Sequence, residues 1–145
     1  MLILVATDEE YQLAKCRWPR KRIIKTGVGG LNVIESLKKV NKRQKVINFG
    51  YVGSNNIPIG TEVEIGRCSL YHPNVDYCEP VYVLNGKTMC LTSDDFVLET
   101  KIKVPVVFDM ELAYILALGF KKIKSIKIVS DNLSIDDYER NINNG

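Results

Sequence analysis

The sequence of 145 residues is poor in several things that would have pointed elsewhere: one histidine, one tryptophan, five prolines and no CxxC pair among its four cysteines. Cys68, His72 and Cys78 stand at steps that match no common zinc pattern and lack a fourth ligand, so no metal and no other cofactor is expected. His72 reads instead as a partly buried strand residue. The opening "MLILVA" is too short for a signal core and runs at once into "TDEE", and no apolar run could span a bilayer. Unpaired cysteines and no leader fit a reducing, cytoplasmic setting. The chain has no repeat, low-complexity tract or linker, and residues 1–145 are expected to form a single domain. The formal charge of +3 comes from Lys and Arg placed singly or in short runs such as Arg20-Lys21-Arg22. Without interleaved aromatics these read as a solvated surface, and no nucleic-acid or membrane partner is expected.

What is present is an alternation of strand and helix patterns. β-branched runs at 2–6, 22–26, 45–49, 105–108 and 126–130 read as buried strands, each followed within a few residues by Gly, Asp or Asn. Residues 30–40 place Leu31, Ile34, Leu37 and Val40 on one helical stripe, and Met110, Tyr114 and Leu118 repeat that spacing. This rhythm predicts a three-layer α/β fold, a mixed, mostly parallel sheet flanked by helices. The middle third, 61–93, reads as antiparallel or irregular strands, with Asn85-Gly86 as a hairpin turn.

Ligands of open α/β sheets bind beyond the C-terminal ends of the strands. The loops there are "TDEE" (7–10), "GVGG" (27–30), "GYVGSNN" (50–56), "DMEL" (109–112) and "DNLS" (131–134), a rim rich in acids and glycines. Each has an ordinary reading beside a functional one. Asp8 and Asp131 could cap helices. The glycine turn could cradle a pyrophosphate, but Asn32 occupies the third-glycine position and no ribose-binding acid follows the next strand. The run "VVFDMELAYILALGF" (106–120) poses the sharpest question, because Asp109 and Glu111 sit in oily surroundings where a charge is costly.

In order along residues 2–132, "ILVATDEE", "KTGVGGLN", "VINFGYVGS", "LTSDDFV", "VFDMELA" and "IVSDN" resemble the purine nucleoside phosphorylase and uridine phosphorylase superfamily. The resemblance is nearest to its methylthioadenosine/S-adenosylhomocysteine nucleosidase branch. That branch carries an acidic triplet, a Gly-Val-Gly turn, an Asn-Thr-Gly-Ser-Ala-Gly-Gly loop, a Ser-Gly-Asp-x-Phe segment, a Val-Glu-Met-Glu helix start and an Ile-Ser-Asp turn.

The resemblance implies a nucleosidase that releases adenine, of the kind used in methionine salvage. Glu10 would orient water at the anomeric carbon, and Asp131 would protonate purine N7. Glu111 would hold the ribose hydroxyls with Met110 against the sugar. Phe96 would stack on the purine and the Val97 backbone would meet its edge. Gly53 and Ser130 belong to the matching loops, while Asp109 would brace the helix start. Acids and Asn48 replace the arginines with which phosphorylases of the superfamily hold phosphate, favouring water as nucleophile. The alternatives are a phosphate-dependent phosphorylase and a catalytically weak purine-binding relative. The chain also departs from the pattern. An N-terminal hairpin and the closing C-terminal helix look shortened, and Tyr51 stands where the family has Ser or Thr. A homodimer is expected, since the family completes its pocket from the partner subunit and a short chain leaves apolar surface to cover.

Overall fold

The computed structural model describes residues 1–72 and 80–134. β1 (Leu2–Val5) is apolar at every position and buried at every position. Its alternation sends Leu2 and Leu4 to one face of the sheet and Ile3 and Val5 to the other. The first pair packs with Val33, Leu37 and Ile115, the second with Ala14, Ile47 and Phe49. Helices therefore cover both faces: α1 (Asp8–Arg17) on one, α2 (Gly30–Leu37) and α3 (Leu112–Ala117) on the other. The expected three layers are present around this strand.

α1 buries little apolar surface, and its ends explain why it forms. Thr7, rather than Asp8, is the N-cap; its hydroxyl accepts the Glu10 N–H while Glu10 accepts the Thr7 N–H. Such a box satisfies two donors that a helix start leaves open. Acids fill the first turn and Lys15 and Arg17 the last, complementing the helix dipole. Asp8 turns outward to Lys25 at 2.5 Å. The stripe of α2 differs from the predicted one: Val33 and Leu37 are buried, whereas Leu31 is 76% exposed and the helix ends before Val40. α3 likewise buries Leu112, Ala113 and Ile115, and Met110 precedes it.

β2 (Arg22–Lys25), β1, β3 (Lys45–Ser54) and β8 (Lys122–Asp131) run parallel and side by side. The segment 50–56, expected as a loop, is largely strand, because β3 continues to Ser54. At its far end β3 exchanges neighbours. β1 pairs only as far as Asn48, and β7 (Val107–Asp109) joins antiparallel at Gly53.

β4 (Glu62–Leu70) pairs antiparallel with β8 and with the short β5 (Tyr82–Val83), but parallel with β6 (Thr88–Thr92), which is parallel to β7. Strands β3, β7, β6, β4 and β8 thus bond in a ring, enclosing Val52, Ile65, Cys68, Cys90, Val107 and Val129. The antiparallel reading of the middle third holds for β5 and fails for β6. Asn85-Gly86 joins two strands that do not pair with each other. Gly86 packs against the backbone of β4, where a Cβ would stand 2.2 Å from the Glu64 carbonyl oxygen, so the close crossing needs glycine there.

Candidate active site

The exchange of β1 for β7 leaves a gap along β3 between Asn48 and Gly53, and a cleft of about 370 Å³ opens beside it. Ala6, Thr7 and Glu10 line it from the β1 end, Tyr51 and Gly53 from β3, Met110 and Glu111 from the β7 end, Asp131 from β8 and Phe96 from the segment after β6. Such a volume suits a small organic ligand. The acidic rim predicted from the loops is therefore one site, built at the C-terminal strand ends.

Glu10 closes the gap chemically as well as sterically. One carboxylate oxygen accepts N–H groups from Ala6 at 2.8 Å and Thr7 at 3.2 Å; the other accepts the Tyr51 N–H at 2.8 Å. The last donor lies on β3 after its pairing with β1 has ended, so a side chain does what a strand would have done. Three backbone donors fix the carboxylate and leave about one of its four lone-pair directions for a ligand. Burial pushes the Glu10 pKa up, opposed by Lys127 and by these hydrogen bonds. The close fit depends on Gly50, where a Cβ would stand 2.6 Å from Glu10 Oε2.

Glu111 accepts the Gly29 N–H at 2.8 Å. Gly29 is the N-cap of α2 and has φ +89, a conformation open to glycine. The donor that a phosphate would have used in the dinucleotide reading is thus held by a carboxylate. Burial, then the neighbouring Asp109 charge, raises the Glu111 pKa to about 8.

Asp131 is 1% exposed at the end of β8. Its Oδ1 accepts from the Ser130 hydroxyl at 2.9 Å and its Oδ2 from the Leu133 N–H at 3.0 Å. It rests on Gly53, where a Cβ would come within 2.8 Å of Oδ2. Both β3 glycines thus make room for a carboxylate from another element.

Asp109 answers the question of its placement differently. It accepts the Leu112 N–H at 2.7 Å and the Thr92 hydroxyl at 2.6 Å, and the Lys127 ammonium lies 3.5 Å away. It braces the start of α3, as expected, and forms a buried ion pair.

Of the other predicted residues, Tyr51, Gly53, Met110 and Phe96 line the cleft, and Val97 lines a small adjoining void with Phe96 and Asp131. Phe96 lies on a non-helical, exposed segment. Ser130 is not among the lining residues; its hydroxyl meets Asp131 and the Val52 carbonyl. His72 is exposed beyond the end of β4 instead of buried within a strand, and Cys78 falls outside the described residues. Among the described residues no cluster of His, Cys, Asp or Glu could hold a metal.

Sequence reading missed Lys127. It is 2% exposed, and its charge acts on Asp109, Glu10 and Glu111 together. Burial lowers its pKa, but the surrounding acids outweigh that and hold it above the usual lysine value. The signal was the parity of β8, in which Ser125, Lys127 and Val129 share the buried side while Lys122 and Lys124 are exposed. Asn48 of β3, buried on the same face of the sheet, accepts the Ser125 hydroxyl at 2.8 Å.

No protein-family model and no curated protein matches the sequence. Solved structures do resemble the fold. A mutant nucleosidase (MTAN) from Helicobacter pylori with 5′-methylthioadenosine in its active site superposes with TM-score 0.78 at 12% identity, over 96% of this chain and 89% of that one. Futalosine hydrolase of the same organism gives 0.76 at 14%, over 99% and 90%. S-adenosylhomocysteine nucleosidase from Streptococcus pyogenes gives 0.76 at 19%, over 98% and 89%. The fold is nucleoside phosphorylase-like, as the ordered motifs implied.

Proposed function

We propose that the protein hydrolyses the N-glycosidic bond of an adenosine-type nucleoside, of the methylthioadenosine or S-adenosylhomocysteine class. The observation that carries this reading is the convergence of Glu10, Glu111 and Asp131, from three different elements, on one apolar-walled cleft. Breaking such a bond builds positive charge on the sugar and negative charge on the departing base, and each needs a placed partner.

Glu10, fixed by backbone donors, uses its remaining lone pair to orient water toward the anomeric carbon and takes its proton. Glu111 receives the ribose hydroxyls, and its anionic form stabilises the cationic sugar. Asp131 delivers a proton to purine N7, so the base leaves neutral. Met110 packs on the sugar and Phe96 on the purine face, with the Val97 backbone at its edge. Tyr51 shapes the side toward Glu10, and Gly53 and Ser130 hold Asp131 in place. The four acidic residues along the cleft, with no Lys or Arg among the described residues that line it, disfavour phosphate as nucleophile.

The test is chromatography of free base after incubation with methylthioadenosine, S-adenosylhomocysteine, 5′-deoxyadenosine, adenosine and inosine, with and without phosphate. Adenine released without phosphate is expected. Release only with phosphate makes the enzyme a phosphorylase, and no release from any nucleoside makes it a binding protein. The reading includes a homodimer, supported by Val28, exposed at the cleft, and by Leu31 and Ile34, exposed on the helix that follows it. A monomeric mass by light scattering would remove that part.

A further inference from the structure

The opposite ends of the same parallel strands carry charge of the other sign. Leu2 is in register with both Arg22 and Val46, and Lys45 with Lys122, so the N-terminal ends of β2, β1, β3 and β8 form one edge. Three strand spacings separate Arg22 from Lys122, about 14 Å. The turns leading into these strands join the edge. The Lys121 N–H donates to the Lys42 carbonyl at 3.0 Å, which ties the turn carrying Arg43 to the one entering β8. Arg20 and Lys21 directly precede β2. No Asp or Glu occurs in residues 18–25, 36–46 or 118–124. Arg20, Lys21, Arg22, Arg43, Lys45 and Lys122 are all exposed, and among the described residues none of them is in an ion pair.

We propose that this edge docks on the phosphate backbone of a nucleic acid duplex without reading its bases. Cations that the sequence spreads over three acid-free segments are collected by the sheet register into one surface, bordered among the described residues by Glu64, 4.0 Å from Lys124, and such a surface attracts a polyanion. Its 14 Å is the rise of about four nucleotides of one duplex strand. A membrane surface fits less well. Among the described residues Met1 is the exposed large apolar side chain next to these strand starts, and the three basic segments themselves contain none, so nothing here inserts into a bilayer. Trp18 packs edge-on against Phe49 and Phe120 is buried beneath Lys42, so neither aromatic is offered for base stacking and contact is to phosphate and independent of sequence. The cleft lies at the far end of the strands and stays open during docking, so the inference stands apart from the hydrolytic reading.

The experiment is fluorescence anisotropy of a labelled 20-base-pair duplex with the full chain between 50 and 200 mM salt. Binding is expected for two unrelated duplex sequences alike and weakens steeply with salt. The triple variant Arg43→Gln/Lys45→Gln/Lys122→Gln should bind roughly 10²-fold more weakly at 50 mM and lower the logarithmic salt slope by about 3. Arg20→Gln/Lys21→Gln/Arg22→Gln, on a different segment, should act in the same direction. Lys101→Gln/Lys103→Gln, away from the edge, should change neither. No binding at 50 mM salt, equal loss in the Lys101/Lys103 variant, or tighter association with phosphatidylserine vesicles than with duplex would each overturn the proposal.

Discussion

At one end of the four parallel strands the charges are buried and individually held; at the other they are exposed and merely gathered. Glu10 has three backbone donors, Glu111 one, and Asp131 a hydroxyl and a backbone donor. The cations at Arg22, Lys45 and Lys122 have water. A carboxylate withdrawn from water is retained only where specific donors replace the water, so its position is fixed closely enough for chemistry. An exposed lysine is fixed by nothing and acts through its sign alone. The first kind of charge should be sensitive to a single atom, the second only to several substitutions together.

The largest single-site effect is expected at Glu10. Glu10→Gln retains size but removes the acceptor that takes the proton from water, and kcat should fall about 10²- to 10⁴-fold. Calorimetric binding of a nucleoside analogue should change little, which separates lost chemistry from a lost site. An unchanged kcat would show that Glu10 serves only as the capping partner of Thr7.

Next comes the buried pair. Lys127→Met leaves Asp109 charged and buried without its cation, and should lower unfolding stability by about 3–5 kcal/mol in denaturant titration. Adding Asp109→Asn should restore much of that loss, because the penalty belongs to the stranded charge. Gly53→Ala tests the same closeness through space: a Cβ 2.8 Å from Asp131 Oδ2 must displace the carboxylate. A loss of about 1–3 kcal/mol is expected, with kcat falling further than stability predicts.

These residues also show where the sequence was legible. The loops holding Glu10, Glu111 and Asp131 could be found because each follows a strand, and strand ends are marked by composition; the family resemblance picked these acids out from their neighbours. Lys127 was missed because only its odd position separates it from Lys122 and Lys124, and parity says which residues share a face without saying which face is buried until the register decides. Gly50 and Gly53 read as loop residues because their role, leaving space for side chains of other elements, is set by tertiary contact. The parallel pairing of β6 with β4 was equally hidden: alternation identifies a strand but not its partner or direction. The basic edge escaped for the same reason, being assembled from three segments only by register.

A smaller effect, now in pH, follows from Glu111. Its folded pKa of about 8 lies above its ordinary value of 4.5, so between those values the folded chain holds a proton that the unfolded chain has released. This contribution to stability is fully present below about pH 4.5 and is lost as pH rises toward 8, at about 1.4 kcal/mol per unit. Glu10, shifted the same way, adds to the slope. Over the upper part of that window kcat/KM should rise, because the anionic Glu111 is the form that stabilises a cationic sugar. Glu111→Gln should flatten the stability profile and remove the activity limb. A stability profile that rises from pH 5 to 8 would contradict the burial of this carboxyl.

The smallest effect is expected from the pair with the better geometry. Arg17 and Glu62 form a bidentate contact between α1 and β4, closer than the Lys127–Asp109 separation of 3.5 Å. Both side chains are more than a third exposed, however, so water already solvates each charge and salt screens their attraction. Glu62→Gln should therefore lower stability by only about 0.2–1 kcal/mol, and less in high salt. Arg17→Ala should cost somewhat more, because its guanidinium also lies 5.1 Å from the Trp18 ring centre and 5.5 Å from that of Phe49. If Glu62→Gln proved as damaging as Lys127→Met, distance rather than desolvation would rank the ion pairs of this fold, and the contrast between its buried and exposed charges would lose its physical basis.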